Sequence, residues 1–192
     1  MDENIFFDIK KIKKIGKNTI IGKTVRLRHP ELCTIENNSI IDDFTYISTK
    51  LKIGSFSHIA SHVTIAGGKD VSCKLGDFSG IGSGTRIYCD TSDFEDEIAS
   101  IIPRKFKKTS TSGDVIMERF TATGGNVVVL PKVVIPEGTV IGASSLVPSN
   151  IELKSWTIYA GIPIKPIKKR NKEKILKQAE KSLLEERRIK ND

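Results

Sequence analysis

The chain is poor in aromatic residues, 6% of its 192 positions against 38% hydrophobic ones, so any core must be built from aliphatic side chains. It holds only three histidines and three cysteines. Cys33, Cys73 and Cys89 are odd in number and widely spaced. That excludes a disulfide framework and metal-site spacing, and reads as reduced thiols in a cytoplasmic protein. No apolar run reaches the roughly eighteen residues of a membrane span. Nothing resembles a signal peptide either, because Ile5-Phe6-Phe7 is too short and follows acidic residues.

What charge there is lies at the ends. The formal net charge is +8, with +5 in residues 1–28, +6 in 165–192 and −3 between them. A nucleic-acid binder would carry a basic stripe along its body with interleaved aromatics. Solvated ends fit this pattern better, although terminal lysines could still meet an anionic cofactor.

What is present is a period of six. Ile41, Ile47, Ile53, Ile59 and Ile65 stand at that interval, which suits neither an amphipathic helix nor a half-buried strand. It is the mark of a solenoid with one inward side chain per short strand. Earlier anchors are Ile15, Ile21, Leu27 and Cys33, after which two extra residues near 36–38 shift the register. A four-residue insertion after Val71 leads to Leu75, Ile81 and Ile87. The period is lost over 88–120 and returns at Thr123, Val129, Ile135, Ile141, Val147 and Leu153. At three hexads per turn this makes roughly six coils. Residues 1–14 read as an amphipathic cap and 15–164 as the solenoid with an excursion loop at 88–120. The remainder, 165–192, reads as a basic tail whose Ile175, Leu176, Ala179 and Leu183 are spaced for an amphipathic helix.

Ile53-Gly-Ser-Phe-Ser-His-Ile-Ala, Leu75-Gly-Asp-Phe-Ser-Gly-Ile-Gly and Val140-Ile-Gly-Ala-Ser-Ser-Leu-Val resemble the hexapeptide-repeat acyltransferases, most of all the sugar and polysaccharide O-acetyltransferases. The closing Tyr159-Ala-Gly-Ile-Pro-Ile-Lys-Pro-Ile-Lys-Lys-Arg is similar to that family's ending, with Ile164 where alanine is usual. The resemblance covers about residues 15–170. It implies an all-β fold, a left-handed parallel β-helix with a C-terminal α-helix. It further implies a homotrimer with sites between subunits, and acetyl-CoA as donor to a sugar hydroxyl of a surface polysaccharide or its precursor. No metal is expected.

A hydroxyl attacking a thioester needs a base, and histidine suits the task. His29 precedes Pro30 at a register disturbance. His58 stands just before anchor Ile59, at a corner between faces, and aligns with Gly80, which leaves space beside it. His62 lies on an outward face over Phe44, as Phe56 should stack on Phe78. His58 is therefore the first candidate base and His62 the alternative. The branch's usual loop histidine is missing, since 88–122 contains none. Asp93 and Tyr88, in or beside the loop, are candidate substrate-binding residues. From the resemblance, Gly124, Gly125 and Ala143 match positions where CoA passes, and Lys165 and Lys168 match basic positions that meet its phosphates. Two alternatives remain open: N-acetylation of an amino sugar or nucleotide sugar, and a non-catalytic hexapeptide-repeat trimer. A zinc hydratase on the same solenoid requires three converging histidines, and His58 and His62 are four apart in one coil while His29 lies neither one nor two full coils away.

Overall fold

In the computed structural model, residues 4–92, 95 and 110–189 are described, the side chains of 185–189 excepted. Short strands wind into a triangular prism with three parallel sheets as its faces. The first face stacks Lys14–Ile15, Cys33–Ile35, Lys50–Ile53, Ser72–Leu75, Val115–Met117 and Val133–Ile135. The second runs from Ile20–Ile21 through Ile40–Ile41, His58–Ile59, Gly80–Ile81, Ala122–Thr123 and Val140–Ile141 to Thr157–Gly161. The third begins at Arg26–Leu27 and ends at Leu146–Val147. The fold is the expected left-handed β-helix of about six coils.

Each anchor points inward because a strand's side chains alternate between its two sides. Ile35, Ile41, Ile47, Ile53, Ile59 and Ile65 are fully buried, so the period of six is the core itself. Inward hydroxyls close the corner between the first and second faces. Ser39, Ser57 and Ser79 donate to the carbonyls of Gly54, Gly76 and Glu118 at 2.8, 2.8 and 2.9 Å, leaving those turn carbonyls satisfied.

Register shows where the extra residues go. Lys14 pairs with Thr34 and Thr34 with Lys52, so the two-residue excess lies in the first coil. It falls at the 3-10 turn Pro30–Leu32, earlier than the 36–38 suggested by spacing. Cys33 and Ile35 both face inward, and a shift of two conserves facing, which hides the slip from periodicity. The four-residue insertion lies at the corner after Thr64–Ala66, before Ser72–Leu75. The coil also resumes sooner than the pattern indicates: Val115–Met117 is already a strand of the first face, with Met117 beside Leu75 and Ile135. The base of the excursion is an antiparallel hairpin, Asp90–Ser92 with Ser110–Ser112.

At the N-terminal end Ile12 is buried and Phe7 and Ile9 pack on the core, while Ile5 and Phe6 stay exposed. At the other end Ile164–Lys169 folds back antiparallel on Thr157–Gly161. The helix α1 (Lys172–Ile189) then returns along the solenoid and sets Ile175, Leu176 and Ala179 against Phe78, Phe120 and Trp156. Arg170 secures this return by donating to the carbonyls of Phe120 and, at 3.0 Å, Gly138.

Candidate active site

His58 opens its strand in the second face, one residue before the buried anchor Ile59, and so points outward. This corrects the corner placement read from sequence. On this face the strands from Ile20–Ile21 to Val140–Ile141 begin one residue before the anchor, so the corner position belongs to His62 instead, with φ +60°. His62 stacks on Phe44 at a centroid distance of 4.9 Å, and Phe56 on Phe78 at 4.8 Å. Both contacts follow from coil spacing. His29 lies elsewhere, its Nδ1 3.7 Å from a Glu31 carboxylate oxygen. No group of three or more metal-ligating side chains occurs among the described residues.

His58 has two neighbours of consequence. Its partner in the next coil is Gly80; a methyl built on Gly80 would meet nothing nearer than the His58 carbonyl at 3.8 Å. From the preceding coil Asp42 reaches across, its Oδ2 2.8 Å from His58 Nε2. Both side chains are about half exposed, 51% and 41%. The carboxylate was missed in the sequence reading, although it carried a signal. Residues that follow the anchors of the second face are Gly22, Asp42, Ala60, Gly82, Gly124, Gly142 and Ala160, and Asp42 breaks that run of small side chains.

The other candidates are dispersed. Tyr88 ends a strand of the third face, half-buried beside Ala66, at the mouth of the hairpin. Asp93 lies outside the described residues. Gly124 packs backbone to backbone on the next coil, where a Cβ would approach the Ala143 amide nitrogen to 2.5 Å. Together with Gly125 and Ala143 it makes a corner without bulk, a surface along which an extended arm could lie. Lys165 and Lys168 are exposed on the closing strand, and Lys168 pairs with Ile158 at the end of the outward row that contains His58. The chain by itself brings His58 and Asp42 together; it keeps Tyr88 on another face.

Burial pushes the thiols of Cys33 and Cys89 up to about 12, and that of Cys73 well above its ordinary value. None of the three is poised as a nucleophile.

No family model matches the chain. The dTDP-4-amino-4,6-dideoxy-D-glucose acyltransferase of Escherichia coli is 31% identical over 166 residues, 84% of either chain. WbbJ of Escherichia coli K12, named for O-acetyl transfer in lipopolysaccharide biosynthesis, is 31% identical over 129 residues, 67% of this chain and 62% of its own. The crystal structure of AntD, an N-acyltransferase from Bacillus cereus in complex with dTDP and 3-hydroxybutyryl-CoA, superposes with a TM-score of 0.82. It is 32% identical and the match covers 96% of this chain and 99% of AntD. A maltose O-acetyltransferase from Clostridium difficile 630, 16% identical with a TM-score of 0.58, shares the fold. The chain belongs to the hexapeptide-repeat sugar acyltransferases, and it is an acyltransferase.

Proposed function

We propose that the protein transfers an acyl group from acyl-CoA, acetyl-CoA in the simplest case, to the amino group of a nucleotide-linked amino sugar. Coverage carries this reading: AntD matches the chain almost end to end, whereas the similarity to WbbJ spans 62% of WbbJ. AntD has also been solved with substitutions at a serine and, ten positions further on, at an aspartate. Ser83 and Asp93 stand at that interval here, and Asp93, with Tyr88 beside the same loop, is the proposed contact to the substrate.

In the proposed reaction the sugar nitrogen attacks the thioester carbonyl. A carbon–nitrogen bond forms, the carbon–sulfur bond breaks, and CoA leaves as a thiolate that takes up a proton. The attacking nitrogen must shed one proton, and His58 receives it. The flat corner of Gly124, Gly125 and Ala143 suits the pantetheine arm, and Lys165 and Lys168 suit its phosphates. His62, stacked on Phe44, is the alternative base. A homotrimer belongs to the same proposal, supported by Val134, 46% exposed beside Ile116 on the first face. The cytoplasmic location is supported by three unpaired, buried cysteines; among the described residues no helix is long and apolar enough to cross a membrane.

O-acetylation of a polysaccharide sugar is the second reading. His58 with Asp42 favours it, because a hydroxyl depends more on a base than an amine does. Free-thiol release from acetyl-CoA, with product mass, decides between them on matched dTDP-linked amino sugars and their hydroxyl counterparts. Release only with amino sugars is expected. Release only with hydroxyl sugars supports the second reading, and release with neither leaves a non-catalytic trimer.

A further inference from the structure

We infer that Asp42 is a positioning residue that selects the ring nitrogen with which His58 works, and that this nitrogen is Nδ1. The inference rests on His58 being the base of the reaction proposed above.

Two columns of the solenoid are broken at the same place. The outward row of the second face reads Ile20, Ile40, His58, Gly80, Ala122, Val140 and Ile158. His58 is its one titratable member. The adjoining column, one residue past each anchor, is glycine or alanine in every coil but that of Asp42. The two exceptions stand in neighbouring coils and meet at 2.8 Å.

The fold has no need of this carboxylate. Turn closure is done by the next residue, Asp43, which accepts from the Thr24 amide at 2.8 Å and its hydroxyl at 2.6 Å. Asn37 and Asp77 do the same for Lys17 and Ser55 in other coils. Stability gains little from the pair either, since half-exposed ion pairs are screened and pay side-chain entropy.

The pair does constrain the imidazole. An ionised carboxylate can only accept, so Nε2 must carry the hydrogen; a neutral ring has one N–H, so the lone pair is on Nδ1. No described residue hydrogen-bonds Nδ1. Gly80 in the next coil leaves room for an acceptor against the ring. When Nδ1 takes the proton, Asp42 already faces the resulting imidazolium.

The test uses full-length protein labelled with ¹⁵N-histidine and long-range ¹H–¹⁵N correlation spectra at mildly alkaline pH, with His58 assigned by comparison with His58→Gln. The expected result is the Nε2–H form of His58 in the wild type and a mixture of both forms in Asp42→Ala. In kinetics, Asp42→Ala should lower kcat about tenfold to a hundredfold and leave KM for both substrates within about twofold. Asp42→Glu, which keeps a carboxylate that can only accept, should recover part of that loss, and Asp42→Asn, whose amide can donate to Nε2 as well as accept from it, should not. An Nδ1–H form in the wild type overturns the inference, as does full kcat in Asp42→Ala. An Nε2–H form in a protein that acylates no sugar overturns the proposed reaction, and with it the role of Nδ1, while the Asp42 contact stands.

Discussion

Gly80 pairs with His58 across adjacent coils, and a methyl group on it would find its nearest heavy atom 3.8 Å away. Its φ lies outside the left-handed region. Alanine should therefore be accepted without strain, and even stabilise the strand by about 0.5–1 kcal/mol. Valine would extend over the imidazole and into the space assigned to the acceptor. Gly80→Val is expected to keep the wild-type melting temperature while losing about tenfold or more in kcat/KM. A Gly80→Val protein with normal turnover would place the acceptor elsewhere.

The helix α1 depends on the aromatic corner beneath it. Trp156 occupies the space left by Gly138, whose φ is +70° and whose added Cβ would fall 2.3 Å from the indole. Phe120 lies 6.0 Å from Trp156, and the Lys172 ammonium is 5.5 Å above the indole ring. Trp156→Ala should cost about 3–5 kcal/mol, measured by urea denaturation, and should expose α1 to early hydrogen exchange.

Acid should weaken the fold through Asp114. Burial alone would raise its carboxyl, but hydrogen bonds from Lys74 and Ser72 outweigh it and hold it below the usual carboxylate range. A carboxyl lowered in the folded state binds more protons when unfolded. Its contribution is therefore complete above about pH 4 and is lost as pH falls through the folded value. The urea midpoint of the wild type should drop on acidification below about pH 4, and Asp114→Asn should flatten that drop.

How far this was legible in the sequence differs between fold and site. Isoleucine spacing gave the coil count, and adding coil lengths placed Phe44 under His62 and Gly80 beside His58. The first insertion was misplaced because Cys33 and Ile35 both face inward, so a slip of two leaves the pattern intact. Met117 was overlooked because the strand that holds it follows a stretch without period. Asp42 was missed for another reason. An isolated aspartate has no period of its own, and only its column, glycine or alanine in the other coils, marks it as out of place. The roles of Gly124, Ala143, Lys165 and Lys168 came from resemblance, since a tight corner and a solvated tail explain the same residues.

The cysteines should be silent in a thiol assay. Burial holds Cys33 and Cys89 near 12 and Cys73 higher still, so very little thiolate exists at neutral pH. A disulfide reagent should label the native protein hardly at all, and all three cysteines after denaturation. Rapid labelling of the native state would show that one of them becomes accessible.

Steady-state thiol release from acetyl-CoA with a dTDP-linked amino sugar, measured on wild type and His58→Gln, tests the central claim most directly. Glutamine can keep the contact to Asp42 but cannot act as a base. The account predicts a wild-type rate that depends on the amino sugar and a loss of about a hundredfold or more in kcat for His58→Gln at unchanged stability. Wild-type turnover by His58→Gln, or the same loss in His62→Ala instead, would contradict it.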